Sequence, residues 1–189
     1  MPASPPLPRS ERERSSIPVR RQATEAEARV LASALRLRII RLCHGEDLTN
    51  KQIAQRLGRD PASVLHHVRR LVKEDFLRAL ASRRGVRGAR EVPYTSTGKS
   101  WTLQIGDAAE PLRGNQAMLQ AFLGELAEAG GELIDAARLS LRLRPEDRED
   151  FNQRIGAVLD EFAAREPDPD GEWLSVFFAM HRDFRGTPR

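Results

Sequence analysis

The chain has 189 residues, one cysteine, a formal net charge of +4, and 40% hydrophobic against 31% charged residues. That balance is ordinary for a water-soluble globular protein long enough to bury a core. A single Cys43 excludes an internal disulfide. The absence of an apolar run of about 18 residues argues against a membrane-spanning helix, and no membrane partner is expected.

The net charge hides an asymmetry. Residues 1–105 hold 21 Lys and Arg against 10 Asp and Glu, a net of +11, whereas residues 106–189 hold 10 against 17, a net of −7. One half is suited to approach a polyanion and the other is not. Two functional halves are therefore expected, preceded by a tail.

Residues 1–22 are rich in Pro, Ser and Arg without an apolar period, and are expected to form a disordered arm. They lack a signal-like apolar segment, which with the lone thiol suits a cytoplasmic location. Thr24 and Glu27 form a capping box opening a helix expected from 25 to 43. Its Val30, Leu31, Ala34, Leu35, Leu37, Ile39, Ile40 and Leu42 make it apolar on more than one side, so it should pack on the helix-turn-helix and on a second surface, for which a partner subunit is a natural candidate.

From Leu48 to Leu77 the signals sharpen. Thr49 and Gln52 form a second capping box, Ile53, Ala54 and Leu57 supply one stripe, and Gly58 marks a left-handed helix end. Asp60 then caps a second helix with Pro61 at its first position. In that helix Val64, Val68, Leu71 and Val72 share one side, with Leu65 on the flank. At ~100° per residue, Ala62, Ser63, His66, Arg69, Arg70 and Lys73 fall on the other. A charged helix face is ordinarily just a solvated surface. This one carries three cations and no acid, on the second helix of a helix-turn-helix, where a helix enters the major groove.

After Phe76, two runs with apolar alternation (Leu77, Ala79, Ala81; then Val92, Tyr94, Trp101, Leu103, Ile105) flank RRGVRGAR. This is a β-hairpin wing whose Arg83, Arg84, Arg87 and Arg90 would lie along a DNA backbone or enter a minor groove. Lys99, at the end of the wing, is expected to face the same backbone.

Residues 24–103 resemble an ArsR-type winged helix-turn-helix regulator. The likeness rests on LASALRLRIIRLC, LTNKQIAQRLG, DPASVLHHVRRLVKEDFL and the hairpin ending YTSTGKSW. It is similar to the form, common in actinobacterial regulators, with an added C-terminal helical region. The resemblance implies a homodimer on an inverted repeat in double-stranded DNA, repression as the usual outcome, and Ser63, His66, His67, Arg69 and Arg70 on the reading helix. The metal-sensing members carry paired cysteines on the motif helix, or His and acidic ligands on a C-terminal helix. Here Cys43 and His44 give at most two ligands where zinc wants three or four, so no metal or other cofactor is expected.

Residues 106–111 suggest a linker. Helices are then expected over 112–130 (Met118, Leu119, Phe122 and Leu126 on its stripe), over 132–143, where Leu139, Leu141 and Leu143 also alternate like a strand, and from Pro145 onward. The last of these carries Phe151, Ile155, Val158, Leu159 and Phe162. PDPDG is a turn, and WLSVFFAMHRDF is a buried strand or helix, with its Val and aromatic content favouring strand. Trp173, Phe177, Phe178 and Met180 there are candidates for a small-effector pocket, although such clusters are more often core.

Two decoys fail. Gly98-Lys99-Ser100 lacks the earlier glycine of a phosphate loop, since Pro93 stands there. His66 and His67 have no acid or thiol one turn away, and no nucleophile elbow or cofactor loop appears, so no enzyme is expected. The expected fold is mainly α with a small β-hairpin wing: a winged helix-turn-helix domain at 23–105, then a helical dimerisation or effector region at 106–189. The expected function is sequence-specific DNA binding, through Thr49, Lys51 and Gln52 on the first motif helix, Ala62 to Lys73 on the second, and the wing arginines. The alternative is a winged-helix module that binds a protein and does not read DNA.

Overall fold

A computed structural model describes residues 20–85, 90–104 and 111–182. These fall into two units, one of residues 20–140 with 169–182 and the other of residues 141–168. The fold is mainly helical with small strand pairs. The expected disorder of the arm lies outside the described residues, except at Arg21–Gln22, which form strand β1.

The expected helix over 25–43 is two helices, α1 (Glu25–Leu31) and α2 (Ala34–Leu42), broken at Ser33 in extended conformation. The break strands the last carbonyls of α1. Arg36 answers it: its Nε donates to the Val30 carbonyl at 2.6 Å and its Nη2 to that of Arg29 at 2.7 Å. Periodicity alone cannot show such a break, because the apolar residues on both sides of it still reach one core. Val30, Leu31, Ile39 and Ile40 are all buried. Cys43 closes α2, fully buried, its thiol pushed up to about 12 by burial.

Strand β2 (Leu48–Thr49) leads into α3 (Asn50–Arg56), whose capping box forms as expected between Thr49 and Gln52. Gly58, at φ +60°, ends it, with the Arg59 N–H on the Ala54 carbonyl and the Gly58 N–H on that of Gln55. Asp60 caps α4 (Pro61–Lys73) through the Ser63 N–H at 2.9 Å. Val64, Val68 and Leu71 are buried with Ile53, Ala54, Phe76 and Leu77. Each of these side chains except Ala54 contributes about 1.5–3 kcal/mol of burial. The α4 terminus closes like that of α3, but with Asp75 at φ +58° where glycine is usual; the Phe76 N–H reaches the Leu71 carbonyl at 2.9 Å.

Strands β3 (Leu77–Ala79) and β6 (Pro93–Ser96) pair antiparallel with Leu77 opposite Ser96, and β6 also pairs with β2, Leu48 opposite Tyr94. The hairpin continues as β4 (Arg83–Arg84) against β5 (Arg90–Glu91). This is the expected wing, although its inward set is shorter than alternation implied. Ala79 and Ala81 are exposed, and Trp101 lies on a short 3-10 turn at Lys99–Thr102 instead of on a strand. Strand β7 (Leu103–Gln104) pairs parallel with β1, and the Arg20 guanidinium sits 4.5 Å from the Trp101 ring. Ile105 lies outside the described residues.

These pieces meet at Glu27. Its carboxylate, almost wholly buried, receives Arg21 at 2.6 and 2.8 Å, Lys99 Nζ at 2.8 Å and the Thr24 N–H at 2.8 Å. The Arg21 hydrogen bonds foremost, then Lys99 and Thr24, hold it well below the usual carboxylate range.

Helix α5 (Pro111–Glu128) matches the expected helix, but its innermost face is shifted from the expected stripe, of which Met118, Phe122 and Leu126 are half-buried. Gly114, Ala117 and Ala121 are buried toward the rest of the unit, where α5 meets α2, whereas Leu119 and Leu123 are exposed. Arg38 pairs with Glu128 and Arg41 with Glu125, which draws the contact face around to the small residues. The helix expected at 132–143 does not form. That stretch is irregular and exposed, with Ile134 at 84%. Its alternating Leu and Arg leave no continuous stripe that would repay helix formation.

In the same unit, the segment 172–182 is neither strand nor helix. Trp173 packs on the turn at Gly45 and meets the His44 ring edge-on at 6.4 Å, Phe177 stacks on Phe122 at 5.3 Å, and Ser175 joins Arg41 and Glu125. No neighbouring strand pairs with this segment among the described residues, so its backbone has no ladder to join. The other unit carries α6 (Pro145–Ala163), opening at Pro145 as expected, with Phe151, Ile155 and Leu159 half-buried and Val158 and Phe162 exposed.

Removing the Glu27 charge tests the hub. Glu27→Gln should cost about 1–3 kcal/mol of unfolding free energy at neutral pH, discounted from a fully buried pair because Arg21 is half exposed. A carboxylate depressed on folding stabilises fully above its ordinary range and loses that contribution as pH falls. The gap between parent and variant in urea titrations should therefore begin to narrow below about pH 4 and keep shrinking as the pH falls further. A gap that does not change with pH would place its origin elsewhere.

Candidate nucleic-acid interface

Helix α4 buries one side and turns the other to water. Ala62, Ser63, His66, Arg69, Arg70 and Lys73 are all exposed, as the helical period implied. None of the three cations makes an ion pair with an acid among the described residues. His66, Arg69, Arg70, Lys73 and Glu74 line one shallow open hollow. A rigid helix with unpaired guanidinium groups pointing outward can donate bidentately to guanine O6 and N7 or bind phosphate oxygens.

His67 sits at the border. It is half-buried, its Nδ1 is buried without a hydrogen-bond partner, and its ring meets that of His66 edge-on at 5.8 Å. Burial first, then the charges of Arg36, His66, Arg59 and Arg70, lower its pKa from the ordinary value. The same interactions locate a cationic cluster larger than the motif helix alone. Arg59 is exposed in the turn between α3 and α4, and Arg36 lies on the α1 terminus with Arg70 among the charges acting on it. The pattern of the chain did not single out either residue. Arg59 was legible in principle as the residue before the Asp60 cap, whereas Arg36 arrives only through the break between α1 and α2.

On α3 the three expected backbone anchors differ. Lys51 is exposed and free among the described residues. Thr49 is buried, its hydroxyl committed to the cap at 2.9 Å from Gln52 Oε1. Gln52 is exposed, but its side-chain oxygen also accepts from the Thr49 N–H at 2.9 Å. Lys51 and Arg90 line a common hollow with Thr49, Asn50, Glu91, Val92 and Tyr94, so the start of α3 and the wing form one edge. Arg83 and Arg84 are exposed, and Arg90 Nε donates to Ser82 Oγ at 2.6 Å. Arg87, expected at the tip, lies outside the described residues.

Lys99 does not face outward as expected. Its Nζ donates to the Glu74 carbonyl at 2.7 Å, pairs with Glu27 and sits 5.0 Å from the Phe76 ring. The four residues expected to line an effector pocket lie along the irregular 172–182 segment. There Trp173 is 63% exposed, Phe178 43% and Met180 45%, while Phe177 is partly covered by its stack on Phe122.

A family model described as a helix-turn-helix domain matches residues 31–81. A search of the curated proteins finds no match. Among solved structures, a mutant of ZitR from Lactococcus lactis in apo form is 22% identical, covering 71% of this chain and 86% of that one, with a TM-score of 0.30. The adhesin competence repressor AdcR from Streptococcus pyogenes is 16% identical over 68% of this chain and 78% of that one, TM-score 0.28. The PcaV transcriptional regulator from Streptomyces coelicolor, in complex with its natural ligand, is 16% identical over 76% and 79%, TM-score 0.29. Among the described residues no helix is long and apolar enough to cross a membrane.

The cationic cluster should be visible in the titration of His67. Followed by its ring proton shifts, His67 should titrate below the ordinary imidazole range of about 6.5, and Arg70→Gln should move that midpoint upward by removing one of the opposing charges. Because the folded form resists protonation, His67 contributes stability that is lost as pH falls below its unfolded midpoint. An unshifted midpoint would remove His67 from the cluster.

Proposed function

We propose that the chain is a sequence-specific DNA-binding transcriptional regulator, with α4 in the major groove and the wing along the backbone. The observation that carries this reading is the outer face of α4, where Ala62, Ser63, His66, Arg69, Arg70 and Lys73 stand exposed opposite buried Val64, Val68 and Leu71. The matched helix-turn-helix domain supports it. Arg69 and Arg70 read base edges, the small Ala62 and Ser63 allow close approach at the helix start, and Lys73 with Arg59 binds phosphate. Lys51, Arg83, Arg84, Arg87 and Arg90 hold the flanking backbone. Thr49 and Gln52 serve that contact indirectly, by fixing the start of α3.

In the same reading the chain works as a homodimer on an inverted repeat, and the outcome of binding is repression. The apolar surface of α5 at Leu119 and Leu123 supports a partner subunit there, since a lone helix gains nothing by exposing leucines in series. The winged helix-turn-helix domain would then span 23–105, with the C-terminal region supplying the second subunit's contacts.

Fluorescence anisotropy on the DNA upstream of the chain's own gene, against scrambled duplex at two salt concentrations, tests the assignment. Binding should prefer the upstream DNA and weaken steeply with salt. Arg70→Ala should cost ~1–3 kcal/mol and relax the preference at one base pair, and replacing both Arg84 and Arg87 by Ala should weaken binding to either duplex. If Arg70→Ala bound both duplexes as the parent does, the reading helix would be misassigned. Indifference to the wing changes would favour a protein partner instead.

A further inference from the structure

We propose that Lys99, although cationic and next to the wing, is a positioning residue that holds the end of the reading helix and does not touch DNA. The proposal rests on the DNA-binding reading above and assigns one more residue to that interface. Three successive carbonyls emerge where α4 ends, those of Glu74, Asp75 and Phe76, and the segment 97–99 takes all three. Lys99 Nζ donates to the Glu74 carbonyl at 2.7 Å, Thr97 Oγ1 to the Asp75 carbonyl at 2.6 Å, and the Thr97 N–H to the Phe76 carbonyl at 3.2 Å. A cation at this end of a helix also meets the negative pole of its dipole.

Two of the three N–H donors of Lys99 are committed inside the fold, away from any phosphate. Besides the Glu74 carbonyl, its ammonium pairs with Glu27 Oε1 at 2.8 Å and lies against the Phe76 ring. Glu27 belongs to α1 and is itself held by Arg21 from β1. The start of the first helix is therefore tied through one carboxylate and one ammonium to the last turn of the helix that reads bases. Displacement of α1 would be felt at Glu74, within one turn of Arg70 and adjacent to Lys73.

The sign of two charge changes separates this role from a plain electrostatic one. A lysine on a phosphate gives up about 0.9 of the logarithmic salt slope when removed, and loss of an acid from a DNA-binding surface tightens binding. For a clamp, Lys99→Gln should weaken operator binding by about tenfold with the salt slope unchanged, a loss in the usual range for coupled sites. Glu27→Gln should weaken binding as well, although it removes a negative charge. The double variant should lose less than the product of the two, because both break the same contact.

Both single variants are first checked for full folding at the assay temperature by circular dichroism, and Thr97→Val serves as an independent break if either unfolds. Hydrogen exchange in the free protein gives a readout that needs no DNA: amides of 72–77 should exchange faster in Lys99→Gln and Glu27→Gln, while those of α3 keep their rates. A salt slope reduced by about one in Lys99→Gln, tighter binding in Glu27→Gln, or unchanged exchange over 72–77 would each overturn the clamp. If the parent itself fails to prefer any operator while exchange over 72–77 responds as expected, the DNA-binding reading fails and the clamp stands as a structural device.

Discussion

A carboxylate withdrawn from water must be answered by charge and by hydrogen bonds, and in this fold that demand is concentrated at Glu27. Two parts of the chain that are distant in sequence are obliged to meet there: the entry, through Arg21 of β1 and Thr24 at the α1 start, and the end of the wing, through Lys99. None of these contacts is large alone, and the half-exposed Arg21 shares its charge with solvent. Together they fix how the entry to the domain lies across the exit from the wing. The parallel β1–β7 pair and the Arg20–Trp101 contact extend the same junction.

What could be read in the chain beforehand was whatever is encoded within a few residues. Both capping boxes, the Asp60–Pro61 start, the Gly58 stop and the two faces of α4 are short-range patterns, and each forms where its residues stand. The break at Ser33 was hidden because residues on either side of it feed one core, so the apolar pattern runs on while the backbone does not. Asp75 gave no warning either, since a left-handed residue other than glycine is chosen by the closure around it. The inward turn of Lys99 depends on Glu27, 72 positions away, and no local rule reaches that far.

The second half defeats local reasoning for a different cause. Between 132 and 144 and again between 172 and 182, apolar residues are plentiful but mostly exposed among the described residues, so composition implied burial that is not supplied. The contacts of the 172–182 segment include Trp173 on Gly45 and His44, Ser175 on Arg41 and Glu125, and Phe177 on Phe122, and among the described residues no strand ladder joins it. Isolated contacts of this kind can be released one by one, unlike the interlocked stripe of α4.

Helix α5 inverts the usual relation between side-chain size and tolerance. Its seat on the domain is made by Gly114, Ala117 and Ala121, and its leucines at 119 and 123 look away. Trimming those leucines removes little from the chain on its own, while adding a few methylenes at Ala117 or Ala121 would wedge the helix off α2 at a cost of about 1–3 kcal/mol. Evolution of this helix is thus freer on its bulky side than on its small side, where the domain itself confines it.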